Sequence, residues 1–124
     1  MKFFIYGTLK QHQNNHNVLE RLQAKFISKD TSTLKYPMFD LSHGFPYLQD
    51  TPNIGNIIYG EVYEINPKFE KDLDEFEGVP ELYKKGSIET KLNGLINCYF
   101  ITNELSEKEI INTKLLNIYK ENGD

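Results

Sequence analysis

At 124 residues and a net charge of −4, the chain is expected to form a single domain over 1–124, with a core of its own. No basic cluster stands ready for phosphates, and no stretch approaches the roughly 20 apolar residues of a membrane span, so neither nucleic acid nor membrane is expected as a partner. A lone cysteine, Cys98, excludes an internal disulfide.

The chain begins with Phe3-Phe4-Ile5-Tyr6-Gly7-Thr8-Leu9-Lys10, which predicts a buried strand stopping abruptly at a glycine. A strand that ends in Tyr6-Gly7-Thr8-Leu9 presents backbone N–H groups at a rim, and Gly7 has no side chain to block a close approach. The same four residues also fit a plain tight strand exit. Met1-Lys2 runs directly into this strand without the basic, apolar and small-residue succession of a secretion signal, so a cytoplasmic setting is expected. From Asn14 to Gln23, the spacing of Val18, Leu19 and Leu22 predicts a short helix. Lys25 to Thr31, and the stretch near Leu34, read as strand and turn. Tyr36-Pro37-Met38-Phe39-Asp40-Leu41 and Gly44-Phe45-Pro46-Tyr47-Leu48 are punctuated by proline, which places them at edges or in loops. A turn is expected over Asp50 to Asn56, with Pro52 and Gly55.

Ile57 to Ile65 is the clearest strand, apolar at first and then alternating, with Gly60 as a bulge or a point of close approach. Asn66-Pro67 then opens a helix: Asn66 can cap it, and proline at the first position sacrifices no needed N–H. Phe69, Leu73 and Phe76 form its apolar stripe, and Gly78 supplies a left-handed stop. Strands follow over Lys84 to Leu92 and Leu95 to Thr102, with Asn93-Gly94 as a two-residue hairpin turn. Ser106-Glu107-Lys108-Glu109 is a capping box for a last helix that would carry Ile110, Ile111, Leu115, Ile118 and Tyr119, its final residues fraying. Strands and helices do not alternate regularly, and the late hairpin is antiparallel. The fold class is therefore α+β, a small mixed sheet that curls toward a barrel with flanking helices.

Glu77 is the residue of greatest chemical interest. It ends the helix that starts at Pro67, on the flank of the apolar stripe beside Leu73. A carboxylate at that end faces the negative pole of the helix dipole, and partial burial beside Phe76 and Leu73 acts in the same direction. Both raise its proton affinity toward neutrality, as a group that takes up and then returns a proton requires. Glu70 projects at a similar angle, so helix geometry does not choose between them. Cys98, within Ile96-Asn97-Cys98-Tyr99-Phe100, reads as a buried strand residue rather than a nucleophile. His12 and His16 are four apart, a spacing that can hold a metal on a helix, but no HExxH pattern accompanies them and the surrounding Gln and Asn residues look solvated. His43 falls in a loop. No metal or other cofactor is expected.

Taken in order, these blocks resemble the gamma-glutamylcyclotransferase-like (AIG2-like) family. The resemblance is carried by Phe3 to Lys10, Asn15-His16-Asn17-Val18-Leu19, Tyr36-Pro37 and Phe45-Pro46-Tyr47-Leu48. It continues in Gly60-Glu61-Val62-Tyr63-Glu64-Ile65, Leu73-Asp74-Glu75-Phe76-Glu77 and Pro80-Glu81-Leu82-Tyr83-Lys84. It implies that family's fold, and cleavage of a small-molecule γ-glutamyl amide by internal cyclisation to 5-oxoproline and a free amine. It also implies that Tyr6, Gly7, Thr8 and Leu9 hold the glutamyl group, that Glu77 rather than Glu70 is catalytic, and that Tyr83 lies beside the site. The leaving amine stays open among an ε-lysyl amine, an amino acid and cysteinylglycine, as does the oligomeric state. A pocket that binds γ-glutamyl or pyroglutamyl compounds without turnover is the alternative; a carboxyl placed to shuttle protons argues for the enzyme.

Overall fold

The computed structural model describes residues 1–40 and 45–119. Along the chain run β1 (Lys2–Ile5), α1 (His16–Arg21), β2 (Lys25–Tyr36), β3 (Met38–Phe39), β4 (Tyr47–Leu48) and β5 (Asn56–Glu64). A 3-10 turn (Pro67–Phe69) then leads into α2 (Glu70–Glu77), followed by β6 (Tyr83–Thr90), β7 (Gly94–Ile101) and α3 (Glu107–Ile111). Five strands close into a barrel in the order β1-β5-β2-β6-β7, and β3 pairs with β4 as a separate two-stranded sheet. The barrel is sealed by a parallel contact between β1 and β7 at Phe3 and Asn97, while its other pairings are antiparallel. The α+β barrel expected from the residue pattern is the fold observed.

β1 reads as an unbroken apolar run because both of its faces are buried. Successive strand residues point to opposite faces, and the two hydrophobic clusters divide on that alternation. Phe4, Tyr36, Ile58, Val62, Ile88, Ile96, Cys98 and Phe100, drawn from all five barrel strands, pack together inside. Phe3, Ile5, Tyr63, Tyr99 and Ile101 face outward and are covered by Val18, Leu19 and Leu22 from the α1 region and by Leu73 from α2. Cys98 is fully buried in the inner cluster, as expected of a strand cysteine.

Gly60 is a point of close approach rather than a bulge. A Cβ there would lie 2.6 Å from the Phe4 ring and 2.7 Å from the Ile5 carbonyl oxygen. The register shifts fall instead on β2, between Phe26 and Ser28 and between Thr31 and Lys35. They let a single 12-residue strand bend around the barrel where the sequence suggested strand and turn.

The start of α2 follows its sequence signals. The Asn66 side chain accepts from the Lys68 N–H at 3.0 Å, and Pro67 occupies the first turn. At the other end Gly78 has φ of +73°, the left-handed stop. Leu73 is fully buried, but Phe76 is 42% exposed and does not complete the expected stripe.

Two expectations are corrected. The hairpin turn between β6 and β7 is three residues, 91–93, because Thr90 pairs with Gly94. Gly94, at φ +69°, therefore begins the strand instead of sitting in the turn. The final helix keeps its capping box, with both reciprocal bonds at Ser106 and Glu109, but ends at Ile111. Asn112 Nδ2 donates to the Lys108 carbonyl and Thr113 Oγ1 to the Glu109 carbonyl, closing off the last turn. The chain beyond then bonds to strands: Leu116 N–H donates to Met38 O, and Asn117 O accepts from Tyr59 N–H. Leu115, Ile118 and Tyr119 thus lie in an extended strap rather than on a helix. Expectations at Leu41, His43, Gly44 and the chain's last five residues lie outside the described residues. Among the described residues no helix is long and apolar enough to cross a membrane.

Candidate functional site

The loop leaving β1 is tied down through its carbonyls. Gly7 O accepts from Lys10 N–H at 3.1 Å, and Thr8 O accepts from Asn15 N–H at 3.0 Å. Leu9 O lies 2.9 Å from His16 Nδ1, and Asn15 Nδ2 donates to Thr8 Oγ1 at 2.9 Å. Across a trans peptide the carbonyl and the following N–H point in opposite directions. Carbonyls of Gly7 and Thr8 turned inward therefore turn the N–H groups of Thr8 and Leu9 away from the loop's interior. None of the N–H groups of Gly7, Thr8 and Leu9 donates to another described residue. Gly7 is also crowded by Pro46, whose Cγ would lie 2.9 Å from an added Cβ.

Beside this loop opens a cavity of about 430 Å³, within the range of small-molecule sites. Tyr6, Gly7, Thr8 and Leu9 line it, and so do Glu77 and Tyr83. All six residues singled out in the sequence line this one space. The structure adds Asn15, Phe45, Pro46, Phe76, Leu82 and Tyr99 to the lining. Phe45, Phe76 and Leu82, each roughly half exposed, make its apolar rim. Exposure at Phe76 thus has a physical reason: the ring borders the cavity instead of the core.

Two of the expected residues contribute differently from a simple contact. The Tyr6 hydroxyl donates to the Tyr99 carbonyl at 2.6 Å, and the Tyr83 hydroxyl donates to the Pro46 carbonyl at 2.8 Å. Each phenol is committed to the protein. Tyr83 holds the Phe45-Pro46 segment in place, and Tyr6 ties the loop to β7. Glu70 pairs with Lys85 on the flank of α2, whereas Glu77 lines the cavity. Residues seven apart share an angular position but are displaced along the axis by roughly 10 Å, so one helix face serves two environments.

Glu77 is held in a poorly solvated position, and its pKa is raised to about 7, first by burial and then by the nearby Asp74 carboxylate. Burial acts as expected, and Asp74, one turn earlier, is a further charge that the sequence reading did not include. Burial, with Glu77 adding to it, also pushes the phenols of Tyr6, Tyr83 and Tyr99 and the thiol of Cys98 up, so these groups stay protonated around it. A carboxyl near neutrality can take a proton and return it. Loop N–H groups can meet a carboxylate or a developing oxyanion. Among the described residues no group of three or more His, Cys, Asp and Glu is placed to hold a metal. His12 precedes α1, which starts at His16, so the two do not share a helix face.

A pH dependence of stability follows. Glu77 binds its proton more tightly folded than unfolded, so between about pH 4.5 and 7 the folded chain carries more protons and loses stability as pH rises. Glu77→Gln, neutral throughout, is expected to exceed the parent in unfolding free energy by about 2 kcal/mol above that window, after allowance for water in the cavity. The difference should vanish below it. Denaturant titrations at the two ends of the window measure this, and an equal gap at both would contradict the assignment.

Residues 3–116 match the family model described as gamma-glutamyl cyclotransferase, AIG2-like. Gamma-glutamylaminecyclotransferase A of Danio rerio is 33% identical over 98% of this chain and 80% of its own length. Gamma-glutamylaminecyclotransferase of Bos taurus is 32% identical over 97% of this chain and 76% of its own. The crystal structure of an AIG2-like protein from Mus musculus superposes with a TM-score of 0.80 at 25% identity, covering 96% of this chain and 87% of that one.

Proposed function

Because this chain belongs to the AIG2-like gamma-glutamyl cyclotransferase family, we propose that it converts a γ-glutamyl amine to 5-oxoproline and a free amine, with Glu77 as the single general acid/base. The observation that carries this reading is a carboxyl poised near neutrality, the only one among the described lining residues. Its cavity is also lined by a loop whose Gly7, Thr8 and Leu9 N–H groups have no partner among the described residues.

In the reaction, the substrate's α-amine attacks its own γ-carbonyl carbon. A new C–N bond closes the five-membered lactam, and the bond to the leaving nitrogen breaks. Glu77 as the carboxylate takes the proton that the α-nitrogen sheds, then delivers it to the departing nitrogen, so neither water nor a protein nucleophile is consumed. Ring closure within one molecule already has a large effective molarity, and holding the bent conformer adds several kcal/mol. N–H groups of Gly7, Thr8 and Leu9 bind the glutamyl carboxylate or the oxygen that gains charge as the carbonyl is attacked.

The lining also bears on the leaving group. Among the described lining residues Glu77 is the only charged side chain. A second carboxylate on the leaving amine, as in a γ-glutamyl dipeptide or glutathione, meets no cation there, and near Glu77 it is repelled. An amine on an aliphatic stem instead fits the rim of Phe45, Phe76 and Leu82. This supports γ-glutamyl alkylamines over γ-glutamyl amino acids, and it admits γ-glutamyl-ε-lysine, whose carboxylate lies at the far end of the lysine stem beside its own ammonium.

The test is mass-spectrometric detection of 5-oxoproline from γ-glutamyl-ε-lysine, γ-glutamyl alkylamines, γ-glutamyl dipeptides and glutathione. Turnover is expected with the amines, at least tenfold faster in kcat/KM than with the dipeptides, as about 1.4 kcal/mol of discrimination would give. Binding of every compound without 5-oxoproline would overturn the enzyme reading.

A further inference from the structure

Glu77 belongs to a wider polar array that the cyclisation itself does not use. Asp74, one helical turn before it, receives three hydrogen bonds. Lys85 Nζ donates to both Asp74 oxygens, at 3.1 and 2.9 Å, and the Tyr99 hydroxyl donates to Asp74 Oδ1 at 2.5 Å. Lys85 also pairs with Glu70, one turn further back on α2. These donors converge because Lys85 and Tyr99 stand opposite each other in the β6–β7 register, so both side chains leave the same sheet face. Tyr99 is fixed in turn: its ring stacks on Phe3 at 5.6 Å and 11°, and its carbonyl takes the Tyr6 hydroxyl. A continuous set of contacts thus runs from the β1 loop, through β7, to the helix that carries Glu77.

We propose that Lys85 is a positioning residue for Glu77, acting through Asp74: its ammonium holds the Asp74 carboxylate against Tyr99 and offsets its charge beside the Glu77 carboxyl. Two carboxylates a turn apart on a helix repel, and poor solvation strengthens the repulsion. With Glu70, α2 presents three acidic groups near one another, and Lys85 is placed among two of them. Among the described residues, the other titratable groups that feel the Glu77 charge are Tyr6 from the β1 exit, Tyr83 from β6, and Cys98 and Tyr99 from β7. All stay protonated and carry no charge. The balance between Asp74 and Lys85 therefore sets the charge beside Glu77, and on top of burial it tunes the pH at which Glu77 becomes a base.

The inference rests on the cyclotransferase reading for the kinetic half of its test only. In the full chain, the Glu77 side-chain carboxyl is titrated by carbon-detected NMR, and kcat/KM for 5-oxoproline release is followed against pH. Lys85→Met is expected to raise the Glu77 midpoint and the acidic limb of the rate profile by about one pH unit. Asp74→Asn should lower both by a similar amount, and Lys85→Arg should stay near the parent. A purely structural ion pair would lower the melting temperature without moving the two midpoints in opposite directions. An unchanged midpoint, or displacement in the same direction in both variants, overturns the proposal. Should Lys85→Met not fold, Lys85→Gln, which removes the charge and keeps a polar end, takes its place with the same expected direction. If no substrate yields 5-oxoproline, the cyclotransferase reading fails while the NMR titration still decides the role of Lys85.

Discussion

Glu77→Gln is expected to reduce 5-oxoproline formation by about a hundredfold or more, the usual scale for losing a positioned general acid/base. Glutamine has nearly the same shape and can still hydrogen-bond, but it can neither take the proton from the attacking α-nitrogen nor return one to the leaving nitrogen. On the proposed mechanism the loss should fall on kcat, with KM little changed, since there the loop of Gly7, Thr8 and Leu9 and not Glu77 holds the glutamyl group. Steady-state rates measured beside a thermal melt separate chemistry from folding. Near-parental turnover in a folded variant would remove Glu77 from the mechanism. Complete loss of ligand binding would instead give this carboxyl a binding role.

Leu73→Ala is expected to be the most damaging single truncation of α2. Leu73 is fully buried where the helix meets the outer face of the barrel, among Phe3, Ile5, Tyr83, Tyr99 and Ile101. Removing three carbons there leaves a cavity and costs about 2–5 kcal/mol, a fall of roughly 10 °C in melting temperature for a chain of this size. Asp74 and Glu77 ride on the same helix, so activity should fall further than the folded fraction alone predicts. A melting temperature within two or three degrees of the parent, on the same scale, would show that the helix is held mainly by its ion pairs. Lys85 with Glu70 and Asp74 would then be the anchor, although pairs this near the surface contribute little in most proteins.

Local signals in the chain proved dependable where one residue type has one strong physical preference. Asn66-Pro67 and Gly78 bound the helical stretch that ends at Glu77, because a cap, a proline first turn and a left-handed stop are decided by nearest neighbours. The Ser106 capping box started α3 for the same reason. Apolar spacing was less dependable at Leu115, Ile118 and Tyr119. Their spacing suits a helix equally well, and hydrogen bonds to Met38 and Tyr59 made them a strap. The family resemblance was legible from residues 3 to 85, and the match extends to residue 116. The last strands and the strap lacked a recognisable block.

The sequence by itself determined the barrel-forming strands other than the full length of β2, the placement of Glu77 at a helix end, and the glycine-ended loop of Tyr6 to Leu9. Each follows from backbone preferences and from alternation along a few residues. Only the tertiary structure decided that these pieces line one cavity, since β1 and α2 are joined by no local signal and meet only when the barrel closes. It gave a physical ground for the choice between Glu77 and Glu70 that the family resemblance implied and helix geometry left open, by setting one against a cavity and the other against Lys85. It also supplied Asp74, Lys85 and Tyr99 as a unit, because the pairing of Lys85 with Tyr99 is a matter of strand register. Register is fixed by the whole buried face at once, so it cannot be read from either strand alone.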